Sequence, residues 1–188
     1  MKYYYDSEFL DDGKTIELIS IGIVSDDGRE YYAVNCEMPV DRIAKHPWLL
    51  RNVVPSLPVL RAKRTLSDVL ESFTYGKDFS FALDTNFACV KPRWVIANEV
   101  REFLLAGESE PELWAYYGAY DHVVYAQLWG PMIDLPAGLP KRTNDIMQEA
   151  KRQGRIDQLP KQTKGLHNAL EDARHVKIMH DWLQERQS

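Results

Sequence analysis

The sequence predicts an α/β protein whose mixed sheet is flanked by helices. Three strand-like segments follow one another closely at the start of the chain, and a fourth, at 112–117, is followed by segments with helical patterns. Adjacent antiparallel strands combined with a later strand between helices are typical of a mixed sheet. The chain has 188 residues. This length predicts one domain spanning 1–188, because domains commonly hold roughly 100–200 residues.

The first three segments predict an antiparallel meander. Aromatic residues at 2–5 predict a strand that runs into Asp6, and the nearly continuous β-branched segment 17–24 predicts a strand buried on both faces. The turn at 25–28 contains Asp-Gly, a pair that tolerates the left-handed backbone of a tight hairpin. It leads into a third strand at 29–35.

Helical patterns occupy most of the remaining chain. Segment 41–53 has a helical pattern that Pro47 is expected to divide, because proline removes a backbone donor and clashes with the preceding turn. Segment 74–92 has weak periodicity and is interpreted as a long loop, and a short fifth strand is expected within 133–143. The other predicted helices are 65–73, 94–105, 120–128, 144–153 (capped by Asn144 and stopped by Gly154) and 166–184.

Composition limits the possible functions without choosing one. The net charge is −5, from 23 basic and 28 acidic side chains, so overall charge does not indicate a nucleic-acid-binding protein. It does not exclude a metal-dependent nuclease, which needs acids to hold its cations. The absence of a long apolar run predicts no membrane span, and the lack of an apolar signal segment predicts a cytoplasmic protein. Cys36 and Cys89 are expected to be free thiols.

The first candidate site is a pair of acids at the end of the first strand. Residues two apart on a strand point to the same face, so Asp6 and Glu8 lie side by side. Like charges this close raise each other's pKa unless a positive group lies between them, and a divalent cation would serve. The spacing alone fits a solvent-facing pair at least as well, because Asp-x-Glu is common.

Two further signals lie later in the chain. Asp121 follows an aromatic segment and opens the next predicted helix, although helix starts favour acids for any function. His167 and Asp172 are five residues apart on the predicted final helix. Asp172 falls on the side that carries Ala169 and Val176, which an ordinary surface acid would avoid. His167 follows a glycine at the helix start, where it could reach a water near a metal held by Asp172.

These three signals together resemble the DEDDh family of 3′→5′ exonucleases. The family pattern is Asp-x-Glu on the first strand, an Asp after an aromatic segment, and His-x4-Asp on the last helix. The stretches YDSEF, TIELISIG, GAYDHV and QLWGPM followed by LP-x-G-x-P resemble the mycobacterial-type polyadenylate-specific exoribonuclease AS group. One departure is Tyr117, which stands where many members carry an Asn.

The resemblance implies a ribonuclease H-like fold with a five-stranded mixed sheet flanked by helices. It implies two Mg²⁺ or Mn²⁺ ions held by the four carboxylates, with His167 as general base. The substrate would be single-stranded RNA, with adenylate-rich 3′ tails as one candidate, and the product a nucleoside 5′-monophosphate. It also implies a homodimer. Phe9 and Glu17 correspond to positions near the terminal nucleotide, although Phe9 is equally well explained as a core residue.

Other functions stay open at this point. A single-stranded DNA exonuclease would use the same acids, and the choice depends on contacts to the 2′-hydroxyl group that the sequence does not reveal. A catalytically inactive nucleic-acid-binding module would be expected to lack at least one of the five catalytic residues, and all five are present. A phosphoesterase acting on small nucleotides would cleave a dinucleotide but not a long strand.

Overall fold

A computed structural model of the chain describes residues 1–60 and 81–185. The predicted helix at 65–73 lies outside these residues, as does the first part of the predicted loop at 74–92. The strands are β1 (Lys2–Asp11), β2 (Ile16–Ser25), β3 (Glu30–Asn35), β4 (Val90–Lys91), β5 (Glu112–Ala115) and β6 (Thr143–Asp145). The α-helices are α1 (Val40–Ile43), α2 (Pro47–Asn52), α3 (Arg93–Leu105), α4 (Ala119–Ala126), α5 (Ile146–Arg152) and α6 (Ala169–Gln184).

The described strands form one six-stranded mixed sheet in the order β4-β3-β2-β1-β5-β6. Strands β1, β2 and β3 are the antiparallel meander that the sequence predicts. Strand β4 pairs in parallel with β3, β5 pairs in parallel with β1, and β6 pairs in parallel with β5. This mixed sheet with its flanking helices is ribonuclease H-like and confirms the predicted fold class.

The strand count differs from the five expected. The additional strand, β4, lies inside the segment that was interpreted as a loop. Backbone hydrogen bonds join it to β3, from the Val34 N–H to the Cys89 carbonyl at 2.7 Å and from the Cys36 N–H to the Lys91 carbonyl at 2.9 Å. A two-residue strand is too short to leave a periodic pattern in the sequence.

Apolar clusters cover both faces of the sheet. On one face, α3 and α4 pack on Tyr3, Tyr5 and Ile21. On the other face, α5 and α6 pack around Tyr4, while α1 and α2 pack beside Leu10. Pro47 is the first residue of α2, so the predicted division of segment 41–53 is confirmed. Within the described residues, no helix combines the length and apolar character that a membrane crossing requires.

Two helix starts differ from the sequence prediction. Helix α6 begins at Ala169 instead of residue 166, because the Asn168 side chain caps it by accepting hydrogen bonds from the N–H groups of Leu170 and Glu171. His167 therefore precedes the helix, with φ of 62°, and its predicted place on the helix was wrong. Helix α5 is capped by Asp145, not by Asn144.

The start of α6 lies directly on β2 at Gly22. A Cβ atom at Gly22 would lie 2.3 Å from the Ala169 carbonyl oxygen and 2.4 Å from Leu170 Cα. Gly22 is also the pairing partner of Asp6 on β1. Only a residue without a side chain therefore lets the first turn of α6 reach the sheet beside Asp6.

Replacing Gly22 tests this close approach. We expect Gly22→Ala to lower the free energy of unfolding by about 3 kcal/mol, because the obstructing atoms belong to backbone that cannot rotate away. Gly13→Ala is the matched control: nothing lies within 4 Å of its added Cβ, and its cost comes from a φ of 79°, worth about 1 kcal/mol. Urea denaturation measures both. Equal losses in the two variants would contradict the argument.

Candidate active site

The first two acids lie together on β1, on the face that α6 covers. Strand alternation points Asp6 and Glu8 to the same side as Tyr4. Strand β5 ends at Ala115, whereas β1 continues to Asp11, so both acids lie beyond the end of their parallel neighbour. The pairing with β2 shifts register between Glu8 and Phe9. Such bulges commonly occur beside functional sites, where they redirect side chains.

Asp172 on α6 and His167, which immediately precedes the cap of this helix, lie close to Glu8. Glu8, His167 and Asp172 each offer a ligand atom, and these atoms lie within 4.8 Å of one another. The Gln162 side-chain amide donates a hydrogen bond to Asp172 Oδ1 at 2.6 Å. Gln162 lies in the loop before α6, and the sequence analysis did not single it out.

Asp121 joins the group from the other side of β1. It lies in the first turn of α4 and is buried. Its Oδ1 accepts hydrogen bonds from the Ser7 backbone N–H at 2.8 Å and from the Ser7 hydroxyl at 2.6 Å. Ser7, which separates Asp6 and Glu8 in the sequence, therefore also orients the Asp121 carboxylate. The three sequence signals thus converge on one edge of the sheet.

The carboxylates destabilise one another's charged forms. Burial, followed by the charges of Asp121, Glu8 and Asp172, raises the pKa of Asp6 well above its usual value. Burial, followed by Asp172 and Asp121, raises the pKa of Glu8 to about 8. Burial raises the pKa of Asp121 to about 6, and the hydrogen bonds from Ser7 limit the rise. The pKa of Asp172 is also raised by burial, against the opposing effect of Gln162.

A divalent cation fits this arrangement. Across residues 1–60 and 81–185, no Lys or Arg side chain forms an ion pair with any of the four carboxylates. Buried acids without a cationic partner are costly unless a metal is held between them. Carboxylate oxygens are the ligands that Mg²⁺ and Mn²⁺ prefer. The donor set therefore suits the metals that the sequence analysis expected.

His167 is held in place by its surroundings on both sides. Its carbonyl oxygen accepts a hydrogen bond from the Ser56 hydroxyl at 2.8 Å, and its ring meets the edge of Trp48 with centroids 4.8 Å apart. Trp48 is itself 49% exposed. Gly165, two residues before His167, has a φ of 69°, and a Cβ atom there would lie 2.8 Å from Glu171 Cγ.

A cavity of about 730 Å³ opens beside these groups; we call it the site cavity. Asp6, His167 and Asp172 line it on the polar side. Its remaining wall is largely apolar and aromatic, and is formed by Tyr116, Tyr117, Met147, Ile156, Leu159, Pro160, Val176 and Met179 among others.

The two predicted nucleotide contacts lie elsewhere around the site. Phe9 packs on the opposite face of the sheet and stacks on Tyr120, with ring centroids 6.0 Å apart and planes 8° apart. Glu17 lies at the start of β2, and its carboxylate forms an ion pair with Arg42. The packing of Phe9 agrees with its interpretation as a core residue. A nucleotide contact by either residue stays a prediction.

Sequence comparisons with known proteins identify the family to which the chain belongs. No protein-family model matches the chain. Two relatives from Mycobacterium tuberculosis align with it over 175 residues at 39% identity, covering 93% of this chain and 88% of each relative. They are the 3′-5′ exoribonuclease Rv2179c of strain ATCC 25618 / H37Rv and the 3′-5′ exoribonuclease MT2234.1 of strain CDC 1551 / Oshkosh. The chain belongs to the family of these mycobacterial 3′-5′ exoribonucleases, which confirms the resemblance found in the motifs.

The raised pKa values predict an unusual pH dependence of stability in the metal-free protein. Because the pKa of Glu8 is about 8 and that of Asp6 is higher than usual, the folded state binds more protons than the unfolded state near neutral pH. The free energy of unfolding should therefore fall as the pH rises from about 7.5 to 8.5, by about 1.4 kcal/mol per pH unit for each extra proton. Urea denaturation in a chelator measures the slope.

The chosen pH window and two variants isolate the acids. Above about pH 7.5, about one pH unit beyond the ordinary histidine pKa of about 6.5, the half-buried His122 and the buried His180 are largely neutral in the unfolded chain and also in the fold, where burial lowers their pKa values. Glu8→Gln should flatten the slope, whereas Glu102→Gln on the exposed side of α3 should leave it unchanged. Stability that rises with pH in this window would contradict the assignment.

Proposed function

We propose that the chain is a metal-dependent 3′→5′ exoribonuclease that removes nucleoside 5′-monophosphates from single-stranded RNA. The observation that carries this proposal is the convergence of four carboxylates, two of them buried and two half-buried, and His167 at one sheet edge. Family membership supports the direction of cleavage and the choice of RNA, because both relatives are named 3′-5′ exoribonucleases. The ends of strands in a ribonuclease H-like sheet give the acids a rigid base.

Asp6, Glu8, Asp121 and Asp172 would hold two Mg²⁺ or Mn²⁺ ions. Such a pair of ions supplies Lewis-acid stabilisation of the attacking and leaving oxygens of a phosphodiester. The protein's own contribution is orientation. Ser7 fixes one oxygen of Asp121, and Gln162 fixes one oxygen of Asp172. Partners of this kind typically change metal affinity 10- to 100-fold.

His167 is the proposed general base. A neutral imidazole accepts a proton near neutral pH, and its ring nitrogen lies within 4.8 Å of oxygens of Glu8 and Asp172. In the proposed reaction, His167 takes a proton from the attacking water as the water oxygen bonds to phosphorus. The bond from phosphorus to the 3′ oxygen then breaks, and that oxygen gains a proton. The products are a nucleoside 5′-monophosphate and an RNA one nucleotide shorter.

A gel time course tests the proposal. A 5′-labelled single-stranded RNA of about 20 nucleotides, incubated with Mg²⁺ or Mn²⁺, should give a ladder that shortens from the 3′ end. His167→Ala should slow it about 10²- to 10⁴-fold, and Asp6→Asn should slow it by more than about 10²-fold, beyond the usual effect of losing a ligand's hydrogen-bond partner. Glu102→Gln should behave as wild type.

The same assay separates the alternatives. A matched DNA strand in a parallel lane distinguishes a ribonuclease from a deoxyribonuclease, and an oligoadenylate lane tests a preference for adenylate tails. Cleavage of a dinucleotide without shortening of the long strand would indicate a small-nucleotide phosphoesterase instead. RNA binding without cleavage in either metal would contradict the enzymatic proposal and favour a binding module.

A further inference from the structure

Tyr117 has an unfavourable backbone conformation for its type. In the part of the chain that the structure describes, the non-glycine residues with positive φ are Tyr117, at 55°, and His167, at 62°. Both line the site cavity. A large side chain rarely adopts the left-handed region, and strain of this kind concentrates at functional sites because the surrounding structure must maintain it. The proposed function uses His167 but leaves Tyr117 without a role.

The structure around Tyr117 holds it in this conformation. The next residue, Gly118, donates its N–H to Asp145 Oδ2 at 2.8 Å, which ties the turn between β5 and α4 to the end of β6. A Cβ atom at Gly118 would lie 2.5 Å from Ala115 Cβ. The turn is therefore too tight for a side chain at residue 118, and it places the ring-bearing residue immediately before the glycine.

The Tyr117 ring is available to a ligand. Its side chain is 62% exposed, so packing in the core does not explain it. The ring is braced by Tyr116, with centroids 4.7 Å apart and planes 68° apart, in an edge-to-face pair. The same cavity contains Asp6, His167 and Asp172, and an apolar wall that includes Ile156 and Leu159. A nucleobase flanking the cleaved phosphate would find an aromatic face there.

We propose that Tyr117, braced by Tyr116, stacks on one of the two bases that flank the scissile phosphate of single-stranded RNA. This inference rests on the proposed function. Stacking on an aromatic ring requires only the face of a base, so this contact selects unpaired nucleotides without selecting a base sequence.

Tyr117→Asn separates this role from a structural one. Asparagine tolerates a left-handed backbone, so the variant should relieve strain and raise the Tm by about 2–4 °C. It should also raise KM for single-stranded RNA about tenfold, within the range for one lost base stack, with a smaller change in kcat. Tyr117→Phe should keep the wild-type KM. Trp94→Ala, which removes an exposed aromatic at the start of α3, is the control for nonspecific contacts.

An abasic substrate tests the stacking contact itself. Binding of a 5′-fluorescein-labelled RNA of about eight nucleotides is followed by anisotropy in an Asp6→Asn background, which prevents cleavage. Full RNA should bind about tenfold more weakly when Tyr117→Asn is added. The same comparison is made with two abasic RNAs, one lacking the terminal base and one lacking the penultimate base. With one of these two RNAs, Tyr117→Asn should no longer weaken binding. Loss of the effect of Tyr117→Asn with one abasic RNA supports the proposal. An effect that persists with both abasic RNAs overturns it.

The failure of this inference differs from failure of the proposed function. If wild type degrades RNA and Asp6→Asn does not, but Tyr117→Asn has wild-type KM and binds full and abasic RNA as the parent does, only the role of Tyr117 is wrong. If wild type degrades no RNA with either metal, the proposed function itself is wrong.

Discussion

The approach of α6 to β2 at Gly22 determines the geometry of the rest of the site. Asp172 lies one turn beyond this contact, and Asp6 lies on the neighbouring strand directly opposite the glycine. A helix lying farther from the sheet would separate Asp172 from Glu8, and it would also carry His167 away from both. The missing side chain at Gly22 therefore sets the distance between α6, which carries Asp172, and the sheet, whose neighbouring strand β1 carries Asp6 and Glu8.

This approach has an electrostatic cost. Four carboxylates are brought together, two of them buried and two half-buried. Burial raises the pKa of each, and the charges of neighbouring carboxylates raise the pKa values of Asp6 and Glu8 further. The two neutral side chains that donate to them, Ser7 and Gln162, orient oxygens without cancelling the charge. Within residues 1–60 and 81–185 no Lys or Arg side chain is ion-paired with the cluster, and oriented carboxylates of this kind suit a divalent cation. Stability and metal binding are then opposed, as is common where a site must remain reactive.

The sequence predicted the acids better than it predicted the backbone around them. Strand alternation puts Asp6 and Glu8 on one face, but only the combination of these acids with Asp121 and the His167/Asp172 pair, which resembles a known family, assigned them to one site. The placement of His167 on a helix was wrong because the apolar pattern runs back to Leu166 as though the helix began there. Leu166 is 55% exposed, and the cap at Asn168 starts the helix later. Strand β4 left no pattern, and the left-handed backbone of Tyr117 has no signature in a single sequence beyond the glycine that follows it.

Tyr117 and His167, which have positive φ, each lie within two residues of a glycine that contacts a neighbouring element. Gly118 is tied to Asp145 on β6, and Gly165 packs against Glu171 on α6. The sheet thus fixes Asp6 and Glu8, while two short turns beside it fix Tyr117 and His167. Turns tolerate sequence change more readily than strands do, so substrate contacts can change without moving the acids. Tyr117 and Asp121 illustrate this separation: Tyr117 forms part of the cavity wall, whereas Asp121 is held independently by Ser7.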